Sequence, residues 1–253
     1  MAIEKSEGVI LRVIDFSNTS CVVTAYTRDF GKISGLAKGA RRLKSPFESA
    51  LDVLAICHLV FVHKTSDALD IFTEAKLQRR FRAAARDLGQ LYAGYYLVEL
   101  VMALTDHADP QPALYDLLVA ALVGLDSGED SEAWVVRFEL RTLAILGQGV
   151  SVEHCTLCGN PLESARQYWF GVASGGLICA RCRPGKKQVV RLDSESVAAL
   201  RVFSDRGEGW RTDPRCGSAL GPLRGLLAQL ITHVLGYRPK LLPYLNIAKT
   251  ETR

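Results

Sequence analysis

Val22-Val23-Thr24-Ala25-Tyr26-Thr27-Arg28-Asp29-Phe30-Gly31-Lys32-Ile33 is the stretch that decides the first domain. β-Branched and aromatic residues run from Val22 to Thr27, Asp29-Phe30-Gly31 interrupts them, and Ile33 opens a second run; this is the pattern of two strands and a tight turn. Gly31 can supply the positive φ that such a turn needs. Similar runs lie at 7–15, 31–37, 51–63 and 69–75, which with 20–27 makes five short strands ahead of residue 80. Five strands in that length predict a small barrel of the oligonucleotide-binding (OB) type, with an SH3-like barrel as the alternative that periodicity leaves open.

Beyond Glu74 the apolar period changes. Leu77, Phe81, Ala84, Leu88, Leu91, Tyr95, Val98 and Val101 recur at steps of three and four, predicting one long amphipathic helix to about Leu104. Asp109-Pro110-Gln111-Pro112 breaks the chain, and Pro112 suits the first turn of a second helix ending near Leu125. A third helix is expected from Ser131, read as its N-cap, to a stop at Gly147. Two more are expected at 193–205 and 216–236, the latter closed by Gly236 and Pro239. The fold class is therefore α+β: an N-terminal five-stranded OB-type barrel, then an all-helical body with a cysteine-rich insert. The expected segments are 1–78 (barrel), 79–150 (helices), 151–190 (insert) and 191–253 (C-terminal helices completing the body).

The 253 residues are 48% hydrophobic and 23% charged, which excludes disordered and collagen-like classes. The longest uncharged apolar stretches, such as Leu117 to Leu125, are about half of a bilayer span. Glu4, Lys5 and Glu7 stand where a signal peptide would place its apolar core, so a cytoplasmic protein is expected. Charge is unevenly spread. Residues 1–80 hold 12 Lys/Arg against 9 Asp/Glu, residues 81–150 hold 4 against 10, and residues 151–253 hold 15 against 8. Basic ends around an acidic middle favour a polyanion partner for the ends and a structural or protein-contact role for the middle.

Cys155-Thr156-Leu157-Cys158 is followed after twenty residues by Cys179-Ala180-Arg181-Cys182. Two residues between thiols let both sulfurs of a knuckle face one ion, and two knuckles supply four thiolates tetrahedrally, as Zn²⁺ requires. Gly159 and Pro161 after one knuckle, and Pro184 and Gly185 after the other, support the turns, and Tyr168-Trp169-Phe170 between them reads as a hairpin strand. Four protein ligands close the site, so one structural zinc is expected. Redox chemistry of a single dithiol and a paired-cysteine site that has lost its metal are the alternatives. His154 abuts Cys155 and reads as a bystander. Cys21, Cys57 and Cys216 have no partner at motif spacing.

Arg28, Lys32, Lys38, Arg41, Arg42 and Lys44 form a basic stretch with Asp29 the only acid among them and with Gly31, Gly35 and Gly39 interleaved. Clustered cations attract phosphates, glycines let backbone approach them, and Tyr26 and Phe30 lie where an OB barrel stacks bases. A solvated hairpin whose charges serve solubility is the alternative. Arg181, Arg183, Lys186, Lys187 and Arg191 form a second basic patch beside the second knuckle. Phosphate-loop, dinucleotide-fingerprint, nucleophile-elbow and His-Glu-x-x-His motifs are absent, and His58, His63, His107, His154 and His233 are scattered. Nothing in the sequence argues for an enzyme.

With these residues in place the chain resembles the RecO family of recombination mediators. The resemblance rests on Glu7-Gly8-Val9-Ile10-Leu11-Arg12, on the Val22 to Ile33 stretch, on Ala37-Lys38-Gly39-Ala40-Arg41-Arg42, and on Leu69 to Leu77 leading into the helical part. It extends over nearly the whole chain, with the cysteine insert and final helix in the same order. The resemblance implies an OB domain, a helical body and a zinc segment found in many members. It also implies binding to single- and double-stranded DNA, annealing of complementary strands, a RecR-type partner, interaction with single-stranded-DNA-binding protein to help load recombinase, and association with the nucleoid during repair. The family's DNA-binding region carries over to Lys32, Lys38, Arg41, Arg42 and Lys44. Gly236-Tyr237-Arg238-Pro239-Lys240-Leu241-Leu242-Pro243-Tyr244 departs from the Lys-Ser-Arg-like turn of many relatives, which leaves the contacts of that end open. A zinc-containing interaction adaptor and an RNA-binding OB protein are the rival readings.

Overall fold

In the computed structural model, which describes residues 2–42, 44–47, 50–64 and 69–249, the first five strands close a barrel. They are β1 (Ala2–Asp15), β2 (Cys21–Thr27), β3 (Gly31–Ala37), β4 (Ile56–His63) and β5 (Asp70–Arg79), in the order β1-β2-β3-β5-β4 with β4 returning to β1. The fourteen-residue β1 serves two neighbours: Ala2 to Val9 pair with β4 and Gly8 to Asp15 with β2, with a register shift between Ile10 and Arg12. Such a bulge bends a long strand so that a sheet can close on itself. Closure is completed by a short parallel pairing of β3 with β5. This is the OB-type barrel that the strand count predicts, and the antiparallel-plus-one-parallel order separates it from a simple meander.

Alternation fills the interior. β3 buries Gly31, Ile33, Gly35 and Ala37 and leaves the residues between half-buried, while Ile10, Val23, Ala25, Phe61 and Phe72 complete the core. Gly31 has φ +64°, as the turn requires, and a side chain there would also collide with the backbone of Asp109. At Gly35 a Cβ would come 2.8 Å from the Phe72 ring, so the parallel β3–β5 contact depends on a missing side chain.

The expected long helix from residue 77 is corrected. β5 continues to Arg79, pairing Leu77 with Cys57 and Arg79 with Ile56; a 3-10 turn spans Ala83–Ala85, and α1 runs only from Leu88 to Leu104. Leu77 and Phe81 fall in phase with the helical stripe by coincidence, and cross-strand pairing wins. The start is set by Asp87, whose side chain accepts from the amides of Gly89 (2.7 Å) and Gln90 (3.2 Å). α2 (Pro112–Asp126) begins on proline as expected. α3 (Ser131–Ile145) is capped by Asp130, one residue before the expected Ser131, and Gly147 follows it with φ +78°.

α4 (Ser194–Ser204) lies where expected, but the predicted 216–236 helix is split into α5 (Pro214–Ser218) and α6 (Leu220–Leu235), the latter ending at Gly236 with φ +75°. Between α3 and α4 stands a three-stranded sheet of β6 (Gln167–Gly171), β7 (Gly176–Ile178) and β8 (Val189–Asp193), with β6 central. The chain forms two compact units. One runs to Glu129 and takes up the chain again from Asn246; the other is Asp130–Leu245. α1 and α2 thus belong with the barrel, whereas α3 packs on α6 and α4 in the second unit. No helix among the described residues is long and apolar enough to cross a membrane.

Candidate metal centre and nucleic-acid interface

The four cysteines converge. The sulfurs of Cys155, Cys158, Cys179 and Cys182 all lie within 4.8 Å of one another, and Cys158 Sγ is 3.9 Å from Cys179 Sγ. A tetrahedron with arms of about 2.3 Å has edges of about 3.8 Å, so the cluster has the dimensions of a four-thiolate metal site. Each knuckle is a backbone turn. The Gly159 amide donates to Cys155 O at 2.8 Å, and the Cys182 and Arg183 amides donate to Cys179 O at 3.1 Å. Gly159 and Gly185 take φ of +73° and +75° at the exits. The Cys179 amide donates to Cys155 Sγ at 3.3 Å.

These amides prepare the sulfurs for negative charge. Burial raises the Cys155 thiol, but the amides of Cys179, Leu157 and Cys158 outweigh it and bring the thiol down to about 6. Cys179 is lowered chiefly by the Cys182 amide. Cys182 is pushed up to about 12 by the neighbouring sulfurs, a crowding of like charge that a cation held among four thiolates would relieve. His154 is exposed and outside the cluster, as the sequence reading expects of a bystander.

The basic stretch from Arg28 to Lys44 does not form one face. β2 and β3 pair Thr27 with Gly31 at the turn and Cys21 with Ala37 at the far end, so Arg28 and Lys38 stand at opposite ends of a seven-residue hairpin, about 20 Å apart. At the turn, Arg28 donates to both oxygens of Asp116 (3.0 and 3.2 Å). Lys32 is half-buried and its ammonium donates to the carbonyls of Met102 (2.8 Å) and Thr105, at the C-terminus of α1. Burial lowers the Lys32 pKa, and the negative end of the helix holds the charge.

At the far end, Lys38, Arg41, Arg42 and Lys44 are all exposed in the loop after β3. Among the described residues only Arg41 of these four makes an ion pair, with the exposed Asp15, and such a pair opens at little cost. The loop turns at Gly39 (φ +68°), with the Arg42 amide donating to Gly39 O at 3.1 Å.

The stacking role expected of Tyr26 and Phe30 is corrected. Tyr26 is 0% exposed, and Phe30 packs edge-on against Phe61 at 5.2 Å beside the barrel core. Alternation puts Cys21, Val23 and Ala25 in the barrel core and Tyr26 on the outer face of β2, where it is buried beside Asp109 and Gln111.

In the second unit Arg181, Arg183, Lys186, Lys187 and Arg191 are all exposed around the second knuckle. Arg183 lies 4.5 Å over the Trp169 ring, and Arg191 is the cross-strand partner of Trp169 in β8. That juxtaposition joins residues fourteen and twenty-two apart, and only the aromatic run Tyr168-Trp169-Phe170 beside a basic knuckle hinted at it. A further arginine group went unread: Arg79, Arg82 and Arg86 surround Asp126. The Asp126 carboxylate accepts from Arg79 (3.1 Å) and from the amides of Arg82 (2.6 Å) and Ala83 (2.9 Å), and Arg86 donates to its carbonyl (2.8 Å).

An OB-type barrel in one unit, and a four-cysteine ribbon among helices in the other, define the class of chain. The family description "Recombination protein O N terminal" matches residues 1–81, and "Recombination protein O C terminal" matches residues 85–241. Similar relatives include the DNA repair protein RecO of Rhodopirellula baltica, 36% identical over 94% of this chain and 97% of the relative. The protein of the same name from Syntrophus aciditrophicus is 28% identical over 97% and 96%, and that of Anaeromyxobacter sp. (strain K) 31% over 92% of each. The chain belongs to the recombination protein O family.

Proposed function

We propose that this protein is a cytoplasmic DNA-repair mediator that works without catalytic turnover. It binds single- and double-stranded DNA, anneals complementary strands, and helps load recombinase onto strands coated by single-stranded-DNA-binding protein, in concert with a RecR-type partner. Membership of the family, with both family regions matched and relatives named for DNA repair, carries this reading. The exposed loop of Lys38, Arg41, Arg42 and Lys44 supports a phosphate contact on the barrel, and Arg181, Arg183, Lys186 and Lys187 support a second on the ribbon. Arg28 and Lys32 are assigned instead to holding the barrel against α2 and α1.

The metal is zinc. Four cysteines with two-residue spacings and tetrahedral dimensions match that ion's preference, and the closed ligand set gives it a structural role in holding the ribbon. The direct test of the core reading is a strand-annealing assay on the purified chain, with labelled complementary oligonucleotides and no nucleotide.

A further inference from the structure

Beside the second knuckle lies a cleft of about 300 Å³, at the small end of the range of ligand sites. Its apolar wall includes Leu162, Tyr168, Trp169 and Ile178, and its charged lining is Arg181 together with Glu163. The Tyr168 hydroxyl accepts from the Ala165 amide at 3.0 Å, which fixes that ring in the wall. The side-chain amides of Asn160 and Gln167 also line the cleft, with no hydrogen-bond partner among the described residues. The surroundings are cationic: Arg183 covers the indole of Trp169, Arg191 stands across the strand from it, and Lys186 and Lys187 follow the knuckle.

We infer that this cleft receives one unstacked base of a single-stranded nucleic acid, with Trp169 as its stacking partner and the flanking phosphates on Arg181, Lys186 and Lys187. The inference rests on the DNA-binding reading above and adds to it a residue and a pocket. A π-face, a pair of free amides and a group of nearby cations correspond in turn to a base face, a base edge and a phosphate backbone. Arg183 adds to the platform, since a guanidinium already stacked on indole leaves a flat, cationic surface for a base. An extended acidic peptide fits the charge and could pair its backbone with the same amides, but a base also presents the flat π-face that the indole receives. On the barrel, Tyr26 is fully buried and Phe30 packs against the core, so the ribbon carries the better stacking surface.

The test uses intrinsic fluorescence on the full chain. Of its three tryptophans, Trp134 and Trp210 are 2% and 5% exposed, so quenching by an oligonucleotide reports Trp169. Oligo(dT) is compared with a strand of equal length built from abasic units, with binding followed in parallel by anisotropy. The expected result is quenching by oligo(dT) alone, although both strands bind. Trp169→Ala should weaken oligo(dT) binding roughly 5- to 150-fold while leaving the abasic strand unaffected. Trp169→Phe keeps a stacking ring, and should retain affinity while losing the signal. Far-ultraviolet circular dichroism and metal content identify a Trp169→Ala chain that has lost the ribbon; the Trp169→Phe variant and the wild-type strand comparison then carry the test. Equal affinity for the two strands, or oligo(dT) binding without quenching, overturns the base pocket while leaving DNA binding intact. Binding of neither strand at low salt overturns the DNA-binding reading and the pocket with it.

Discussion

The Lys32 ammonium donates to the carbonyl oxygen of Met102 at 2.8 Å, joining the turn end of the β2–β3 hairpin to the last turn of α1. A cation placed there satisfies carbonyls that a helix end leaves without partners and meets the negative end of the helix dipole. The consequence is a division of labour within one basic stretch. Lys32 and Arg28 act inside the unit, whereas the loop after β3 presents its charges to solvent.

That division is testable by substitution. Lys32→Met should lower the stability of the chain by about 1–3 kcal/mol, because it strands helix-terminal carbonyls in a partly buried place, and should leave the salt dependence of DNA binding unchanged. Reversing Lys38, Arg41 and Arg42 to Glu should do the opposite. Each lost phosphate contact lowers the slope of log affinity against log salt by about 0.7 on a single strand and about 0.9 on a duplex. Urea midpoints and a salt titration of both variants separate the two roles. A slope unchanged in the triple variant would move the binding surface to the ribbon.

Removal of the metal should act on the second unit. With Cys179→Ser the purified chain should hold well under half a zinc, against one for the wild type, and amide exchange should quicken across β6, β7 and β8 but not across the barrel. Structural zinc in small peptides is bound with an apparent free energy on the order of 10–16 kcal/mol, so a ribbon whose core is only three short strands depends on it. A wild-type protein prepared without chelator that lacks zinc by elemental analysis would exclude the assignment.

Asp126 gives an acid-sensitive junction. Burial pushes its carboxyl up, but the amides of Arg82 and Ala83 and the Arg79 guanidinium outweigh this and hold it below the ordinary carboxylate range. A depressed folded-state pKa means that the stabilisation is complete above the unfolded value of about 4 and is lost as pH falls through the lower folded value. Asp126→Ala should therefore cost roughly 2–4 kcal/mol at neutral pH, since the buried amide of Ala83 and the part-buried amide of Arg82 lose their acceptor. The difference from wild type in urea midpoint should shrink below about pH 4. A gap that stayed constant down to pH 2 would show that the charge of Asp126 is not what holds the turn.

What the sequence revealed and concealed follows from the range of the interactions. The β2–β3 hairpin and the cysteine knuckles are local: Gly31 with positive φ, and thiols two residues apart, carry their geometry in their spacing. The start of α1 was also local, in Asp87 ahead of Gly89 and Gln90, but the apolar phase of Leu77 and Phe81 masked it. Lys32 with Met102, Arg28 with Asp116 and Trp169 with Arg191 are tertiary, and no periodicity reports them. The same holds for Tyr26: alternation sets it on the face of β2 opposite Val23 and Ala25, without showing that this outer face is covered as well.

The annealing reading makes the most demanding prediction. The protein should speed the pairing of complementary single strands without any nucleotide, because two groups of exposed cations, at 38–44 and 181–191, can each screen phosphate repulsion and hold one strand near another. Bridging of this kind has an optimum. When protein is scarce few strand pairs share a molecule, and when it is in excess each strand is coated separately and pairing slows again. A titration of protein against fixed, labelled oligonucleotides should therefore give a bell-shaped rate, and raised salt should lower the maximum as the phosphate contacts weaken. The same titration on strands coated by single-stranded-DNA-binding protein tests whether the chain works through that coat, where the expected result is a maximum that survives. Charge reversal in either basic group alone should abolish the optimum while leaving binding by the other measurable. Tight binding with no acceleration at any ratio would leave a DNA-binding module that does not anneal.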